Sequence, residues 1–119
     1  VFILDEIQPG IGRTGKLFGF ENYNCQPDIL VTGKGLGGGL PIGAFTASKD
    51  MMLSLSDNPK FGHITTFGGN PVIAAAALAT LTEITSSSLM REALKKEKLI
   101  KLSIEHVCPT TSILLVRMK

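Results

Sequence analysis

The chain has 119 residues, of which 44% are hydrophobic and 18% are charged, and its formal net charge is +2. This balance fits one small globular domain and predicts no nucleic-acid or membrane partner, because the positive excess is small and no basic run is interleaved with aromatic side chains. Cys25 and Cys108 lie far apart without metal-site or CxxC spacing, so we expect free thiols, no bound metal and, by default, a cytoplasmic protein.

Both ends of the chain fall within apolar runs. Val1 opens the run VFIL, and the last segment, SILLVRMK, stops in another such run. We therefore expect a piece of a larger folding unit, with residues 1–106 as part of one domain and residues 107–119 as a divergent or truncated segment that contains a short strand. No segment is apolar over the length that a membrane-spanning helix needs, and no signal peptide is visible.

Two short apolar runs rich in β-branched residues predict buried strands, at 1–4 and 29–32, and residues 43–48 predict a third short strand. Between the first two runs lies a glycine-containing loop and then a predicted helical turn at 17–23. Its aromatic side chains are expected to pack within the protein rather than to bind a ligand; they are Phe18, Phe20 and Tyr23.

Three helices follow the strands in the predicted order, at 48–57, 71–85 and 86–106. Ser48, Asn70 and Ser88 are the predicted N-caps, and Pro71 suits the first position of the second helix. Strands that alternate with helices predict an α/β architecture with a mostly parallel sheet.

Polar residues follow the first two predicted strands. Asp5 and Gln8 come after the first, and Lys34 comes after the second, just before a glycine cluster. A lysine amine that forms a Schiff base and a carboxylate that keeps a pyridine nitrogen protonated are what pyridoxal phosphate (PLP) chemistry requires, and Gln8 could donate to the ring oxygen. Taken singly, each residue also fits an ordinary loop position. Glu6 is expected to face away from Asp5 in a structural role.

Phosphate binding is an alternative at two places in the sequence. The sequence GKG at Lys34 is faintly similar to a P-loop, but Gly35 stands where that motif needs Ser or Thr. Residues 65–70 precede the predicted helix at Pro71 and fit either an anion site or a capped helix start without a ligand. His63 is expected to be a packed or solvated loop residue, because no second histidine lies at metal-ligand spacing.

Two sequence blocks resemble the class III (ornithine/4-aminobutyrate-type) aminotransferases. The first is LDEIQPGIGRTGKLFGFENYNCQPDILVTGKGLGGGLPIGA, and the second is TTFGGNPVIAAAALATL. The resemblance covers residues 1 to about 85 and implies a fold-type I PLP-dependent transferase. Residues 1–106 would then form part of its PLP-binding large domain, an α/β unit with a mixed, mostly parallel sheet flanked by helices, in a homodimer whose subunits share their active sites.

The same resemblance implies residue roles and a reaction. Asp5 corresponds to the partner of the pyridinium nitrogen, Gln8 to the partner of the ring oxygen, Lys34 to the Schiff-base lysine, and Thr66 to the threonine that contacts the phosphate of the neighbouring subunit's PLP. The implied reaction of amino-acid metabolism is transamination between an amine or amino acid (acetylornithine, ornithine or 4-aminobutyrate type) and a 2-oxo acid. A related aminomutase reaction and a non-catalytic truncated remnant remain open alternatives.

Overall fold

The computed structural model describes residues 1–57, 60 and 62–107. Within this part, the strands are β1 (Ile3–Asp5), β2 (Ile29–Gly33) and β3 (Gly43–Ala47), and the helices are α1 (Lys49–Asp57), α2 (Pro71–Ser86) and α3 (Leu89–Val107). Two single-turn 3-10 helices, here called the 19–22 turn and the 34–37 turn, cover Gly19–Asn22 and Lys34–Gly37. The strands and helices predicted at 1–106 are therefore confirmed, with ends that shift by at most three residues. The prediction that the first strand is buried is wrong, because Ile3 is 58% exposed.

The three strands form one mixed sheet in the order β1-β2-β3. β1 and β2 are parallel, with Asp5 opposite Val31, whereas β2 and β3 are antiparallel, with Gly33 opposite Gly43. The expected mixed α/β sheet is confirmed. β3 departs from the parallel direction that the strand–helix alternation suggested, because the link 34–42 holds only the 34–37 turn and is too short for a crossover helix.

Side-chain caps explain where the first two helices begin. Ser48 Oγ accepts a backbone N–H of α1 at 3.3 Å, and Asn70 Oδ1 accepts two N–H groups of α2 at 3.0 and 3.3 Å. Pro71 takes the first position of α2, where its missing N–H costs nothing. The predicted Ser88 cap is wrong, because its hydroxyl donates to Glu92 Oε1 at 2.9 Å instead of accepting from the backbone of α3.

The interior of the described chain is small. Leu36 in the 34–37 turn and Ala77 in α2 are its buried hydrophobic residues, each 8% exposed, and α2 packs directly on that turn. Large apolar side chains remain exposed elsewhere, among them Val72 and Leu78 on α2 and Leu99 on α3. The small buried core of the described chain therefore lies beside the glycine cluster that follows Lys34.

The predicted C-terminal segment 107–119 begins at Val107, where α3 ends, and its remaining residues, together with Cys108, lie outside the described residues. Cys25 is an exposed free thiol, as expected. No single helix in the described ranges is both long enough and apolar enough to cross a membrane; α2 and α3 meet that criterion only as a pair, bent by 69°, and by length and composition alone.

Candidate active site

Asp5 and Lys34 lie at the same edge of the sheet. Asp5 is the last residue of β1, and Lys34 directly follows Gly33, the last residue of the neighbouring parallel strand β2. The backbone N–H of Glu6, the residue after Asp5, donates to Val31 O at 2.8 Å. β1 and β2 are therefore hydrogen-bonded to each other to their ends, where the polar residues begin. Parallel strands present their carboxyl ends at one edge, and ligand sites of α/β sheets form there.

The Asp5 carboxylate keeps one oxygen available for a ligand. Oδ1 accepts the N–H of Ile7 at 2.9 Å, which fixes the side chain over its own loop, and Oδ2 has no hydrogen-bond partner among the described residues. The side chain is exposed. A carboxylate oxygen fixed in this way can accept a hydrogen bond from a protonated ring nitrogen and favour that protonated form.

Lys34 has an unusual backbone conformation. Its φ is +44°, in the left-handed region that costs a non-glycine residue about 1 kcal/mol or more. Its side chain is exposed, and the amine forms no ion pair or hydrogen bond within the described ranges. Backbone conformations of this kind persist only where the surroundings impose them, and they cluster at functional sites.

The surroundings that impose this conformation are the 34–37 turn and α2. Leu36 anchors the turn in the small core, and Gly38, with φ +59°, continues it in the left-handed region. A Cβ on Gly38 would collide with the Thr80 hydroxyl, which donates to Ala76 O at 2.9 Å. The contact between Gly38 and Thr80 was not predicted from sequence, since no local signal links a threonine in a helix to a glycine 42 residues earlier.

Glu6 is buried whereas Asp5 is exposed, which fits the prediction that Glu6 faces away from Asp5 in a structural role. Its carboxylate oxygens accept the N–H groups of Gly19 and Phe20, each at 2.8 Å. Gln8 follows in the same loop with an exposed amide that forms no hydrogen bond within the described part of the chain. Gln8 is therefore available to a ligand at the edge where Asp5 lies.

Thr66 lies in the exposed loop before α2. No hydrogen bond or ion pair among the described residues joins it to Asp5, Gln8 or Lys34, so its implied contact with a neighbouring subunit's cofactor remains a prediction. Of the two interpretations of residues 65–70, the structure favours the capped helix start, because Asn70 Oδ1 already accepts the first free N–H groups of α2.

The aromatic residues before β2 pack only in part. Phe18 and Phe20 stack with ring centroids 5.7 Å apart, as expected, but Tyr23 is 60% exposed and its predicted packing is wrong. His63 lies edge-on to Phe45 at 5.2 Å and is exposed, which fits the loop role predicted for it. Within the described ranges, no three metal-ligating side chains gather at one point.

A family model described as aminotransferase class-III matches residues 1–118. The chain belongs to the class III aminotransferase family. Among its curated relatives, acetylornithine aminotransferase of Caldanaerobacter subterraneus subsp. tengcongensis is 48% identical over 105 residues, which cover 88% of this chain and 26% of the relative. Putrescine aminotransferase of Pectobacterium atrosepticum is 53% identical over 94 residues, which cover 78% of this chain and 20% of the relative.

Solved aminotransferase structures have the same fold over this region. Ornithine aminotransferase from Toxoplasma gondii superposes with a TM-score of 0.80 at 35% identity, over 89% of this chain and 25% of that one. An S-selective transaminase from Arthrobacter sp. gives 0.77 at 37% identity, over 90% and 24%. The chain thus spans about a quarter or less of the length of these relatives, and the expected fold-type I α/β fragment is confirmed.

PLP is the cofactor of class III aminotransferases, and the Toxoplasma gondii enzyme holds it at partial occupancy in its own active site. The residues of this chain fit PLP chemically. At one sheet edge they offer an amine without an ion pair (Lys34), a carboxylate oxygen without a donor (Asp5) and an exposed amide (Gln8), all within the described residues. An amine can bind the aldehyde of PLP, a carboxylate can bind its protonated ring nitrogen, and an amide N–H can donate to its ring oxygen.

Proposed function

We propose that the protein carrying this chain is a PLP-dependent class III aminotransferase and that the edge formed by the ends of β1 and β2 is its cofactor site. The observation that supports this most directly is the placement of Asp5 and Lys34 at the carboxyl ends of adjacent parallel strands. Both side chains are exposed, and neither is engaged by an opposite charge in the described part of the chain.

Bound PLP supplies an electron sink for the bond broken at the substrate Cα. Lys34 would hold the cofactor through its amine and then, once the substrate takes that place, accept and return the proton of the substrate Cα. Asp5 would hold the proton on the ring nitrogen through its free Oδ2, and Gln8 would donate its amide N–H to the ring oxygen. Thr66 would bind a phosphate oxygen in the neighbouring subunit of a homodimer.

The proposed substrates are an amine or amino acid donor of the acetylornithine, ornithine or 4-aminobutyrate type and a 2-oxo acid acceptor. Relatives named for acetylornithine and putrescine support a donor with an amino group on an aliphatic chain. The aminomutase reaction would use the same chemistry at Lys34 and Asp5, but it returns the amino group to the same carbon skeleton. Transamination requires a 2-oxo acid acceptor and the aminomutase reaction does not, so this requirement distinguishes the two reactions.

A second proposal concerns the chain by itself. Only Leu36 and Ala77 are buried among its described hydrophobic residues, and large apolar side chains line the outer faces of α2 and α3. We expect the isolated chain to be non-catalytic, because it lacks the packing that would keep these faces and the sheet edges out of water.

The test is cofactor attachment in the full-length protein. Incubation with PLP, reduction with borohydride and digestion should give one dominant pyridoxyl adduct, on Lys34, by mass spectrometry. Lys34→Ala should lose the adduct and the transfer of an amino group to a 2-oxo acid, whereas Lys16→Ala, a control at another exposed lysine, should retain both. A dominant adduct elsewhere, or turnover in Lys34→Ala, would remove Lys34 from the proposed role.

A further inference from the structure

Glu6 is the most completely buried side chain in the described residues, with 1% of its surface exposed. No cation from the described part of the chain pairs with it; its partners are the N–H groups of Gly19 and Phe20 at the start of the 19–22 turn, each 2.8 Å from a different carboxylate oxygen. A buried carboxylate is costly unless hydrogen bonds replace its water, so two charge-assisted bonds at this position indicate a specific structural task.

The backbone of Glu6 is fixed at both ends as well. Its N–H donates to Val31 O on β2 at 2.8 Å, and its carbonyl oxygen accepts the N–H of Gly10 at 3.0 Å. Glu6 thereby connects three parts of the chain: the strand that leads to Lys34, the far end of its own loop and, through the carboxylate, the 19–22 turn.

Glu6 also lies between two residues of the cofactor site. Asp5 precedes it directly, and Gln8 follows two residues later; both are exposed, whereas Glu6 points to the buried side. A rotation of the backbone at Glu6 would displace Asp5 and Gln8 together and would change their position relative to Lys34, because the Val31 hydrogen bond sets the register between the two strand ends.

We propose that Glu6 is a positioning residue for the cofactor site: its carboxylate, held by the two N–H groups of the 19–22 turn, fixes the loop 5–10 so that Asp5 and Gln8 meet the cofactor ring. This inference rests on the proposed function, since it assigns Glu6 a task toward PLP. Glu6 acts through its neighbours and does not itself touch the cofactor.

The packing around Glu6 leaves little room for adjustment. A Cβ on Gly10 would lie 2.5 Å from Glu6 O, and a Cβ on Gly19 would lie 2.9 Å from Pro9 Cβ and 3.2 Å from Glu6 Oε2. Neither glycine needs a left-handed backbone, so the close approach to Glu6 and Pro9 is what excludes a side chain at these positions. Gly10 and Gly19 therefore have no room for a side chain beside Glu6.

The experiment compares Glu6→Gln with Glu21→Gln in the full-length protein. Glu6→Gln preserves the shape but turns one acceptor into an amide that cannot accept from an N–H. We expect PLP to bind about tenfold more weakly, which is the change in affinity that the loss of one net hydrogen bond produces. We also expect the absorbance of bound PLP to change at a different pH, because Asp5 would no longer be positioned to hold the proton on the ring nitrogen.

Glu21→Gln is the matched control, because its exposed carboxylate accepts the N–H of Phe18 at 2.8 Å and forms no hydrogen bond to the loop 5–10 within the described residues. We expect its PLP affinity to remain within about twofold of wild type. Glu6→Asp keeps the charge but shortens the side chain, so its carboxylate cannot reach both N–H groups, and both readouts should shift in the same direction as in Glu6→Gln.

Gly19→Ala is an independent test, because its Cβ would lie 3.2 Å from Glu6 Oε2 and the substitution changes no charge. It replaces Glu6→Gln as the test if that variant does not fold. It should shift PLP affinity and the absorbance profile in the same direction as Glu6→Gln. A lower melting temperature in these variants with unchanged PLP affinity and unchanged absorbance profile would overturn the inference. Absence of the Lys34 adduct in wild type would instead overturn the proposed function, and the inference with it.

Discussion

Gly10→Ala tests whether the loop that carries Asp5 and Gln8 is as closely packed as the structure shows. The added Cβ would lie 2.5 Å from Glu6 O, whereas ordinary contact begins near 3.4 Å. The obstructing atom is a backbone oxygen, which cannot rotate away as a side chain would. The loop must therefore open, and the 3.0 Å hydrogen bond from Gly10 N to Glu6 O must lengthen or break.

The cost follows from these contacts. Overpacking in a close-packed site costs about 1–3 kcal/mol, and one lost net hydrogen bond adds about 1 kcal/mol. Replacing glycine by alanine lowers the entropy of the unfolded chain and returns about 0.4–1 kcal/mol. We therefore expect Gly10→Ala to lower the free energy of unfolding by about 1–4 kcal/mol.

The assay is urea unfolding of the PLP-free full-length protein, with PLP affinity measured on the same samples. Gly43→Ala is the control, because it makes the same chemical change where nothing lies within 4 Å of the new Cβ and the backbone φ is ordinary. It should leave stability within about 1 kcal/mol of wild type. Equal unfolding midpoints for the two variants would refute the steric reasoning at Gly10.

Four further outcomes are expected. Asn70→Ala should lower the free energy of unfolding by about 1 kcal/mol, as loss of an N-cap does, and an unchanged urea midpoint would contradict the cap. Gly38→Ala should destabilise less in a Thr80→Ala background, where the colliding hydroxyl is gone; additive effects would show that the two do not touch. Asp5→Ala should lower turnover by about a hundredfold or more while the Lys34 adduct still forms, and a near-normal rate would remove Asp5 from its role. The isolated chain should associate in light scattering, whereas a monodisperse monomer with one cooperative melt would argue against exposed apolar faces.

The local elements were predictable because their signals are local. The β-branched runs identified the strands, and Asn70 and Pro71 marked the start of α2 through chemistry that acts within a few residues. The prediction at Ser88 was wrong because its hydroxyl donates to Glu92, one turn away, and accepts no N–H of α3 within the described residues.

The sequence by itself indicated the family and its cofactor, because two of its blocks resemble class III aminotransferases, and the family is confirmed. The roles of Asp5, Gln8 and Lys34 follow from the same resemblance and remain predictions. Only the tertiary structure decided how these residues are held. The contact of Gly38 with α2 and the connection from Glu6 to the 19–22 turn each join residues distant in sequence. Such contacts depend on how the elements pack against one another, and no local pattern encodes that.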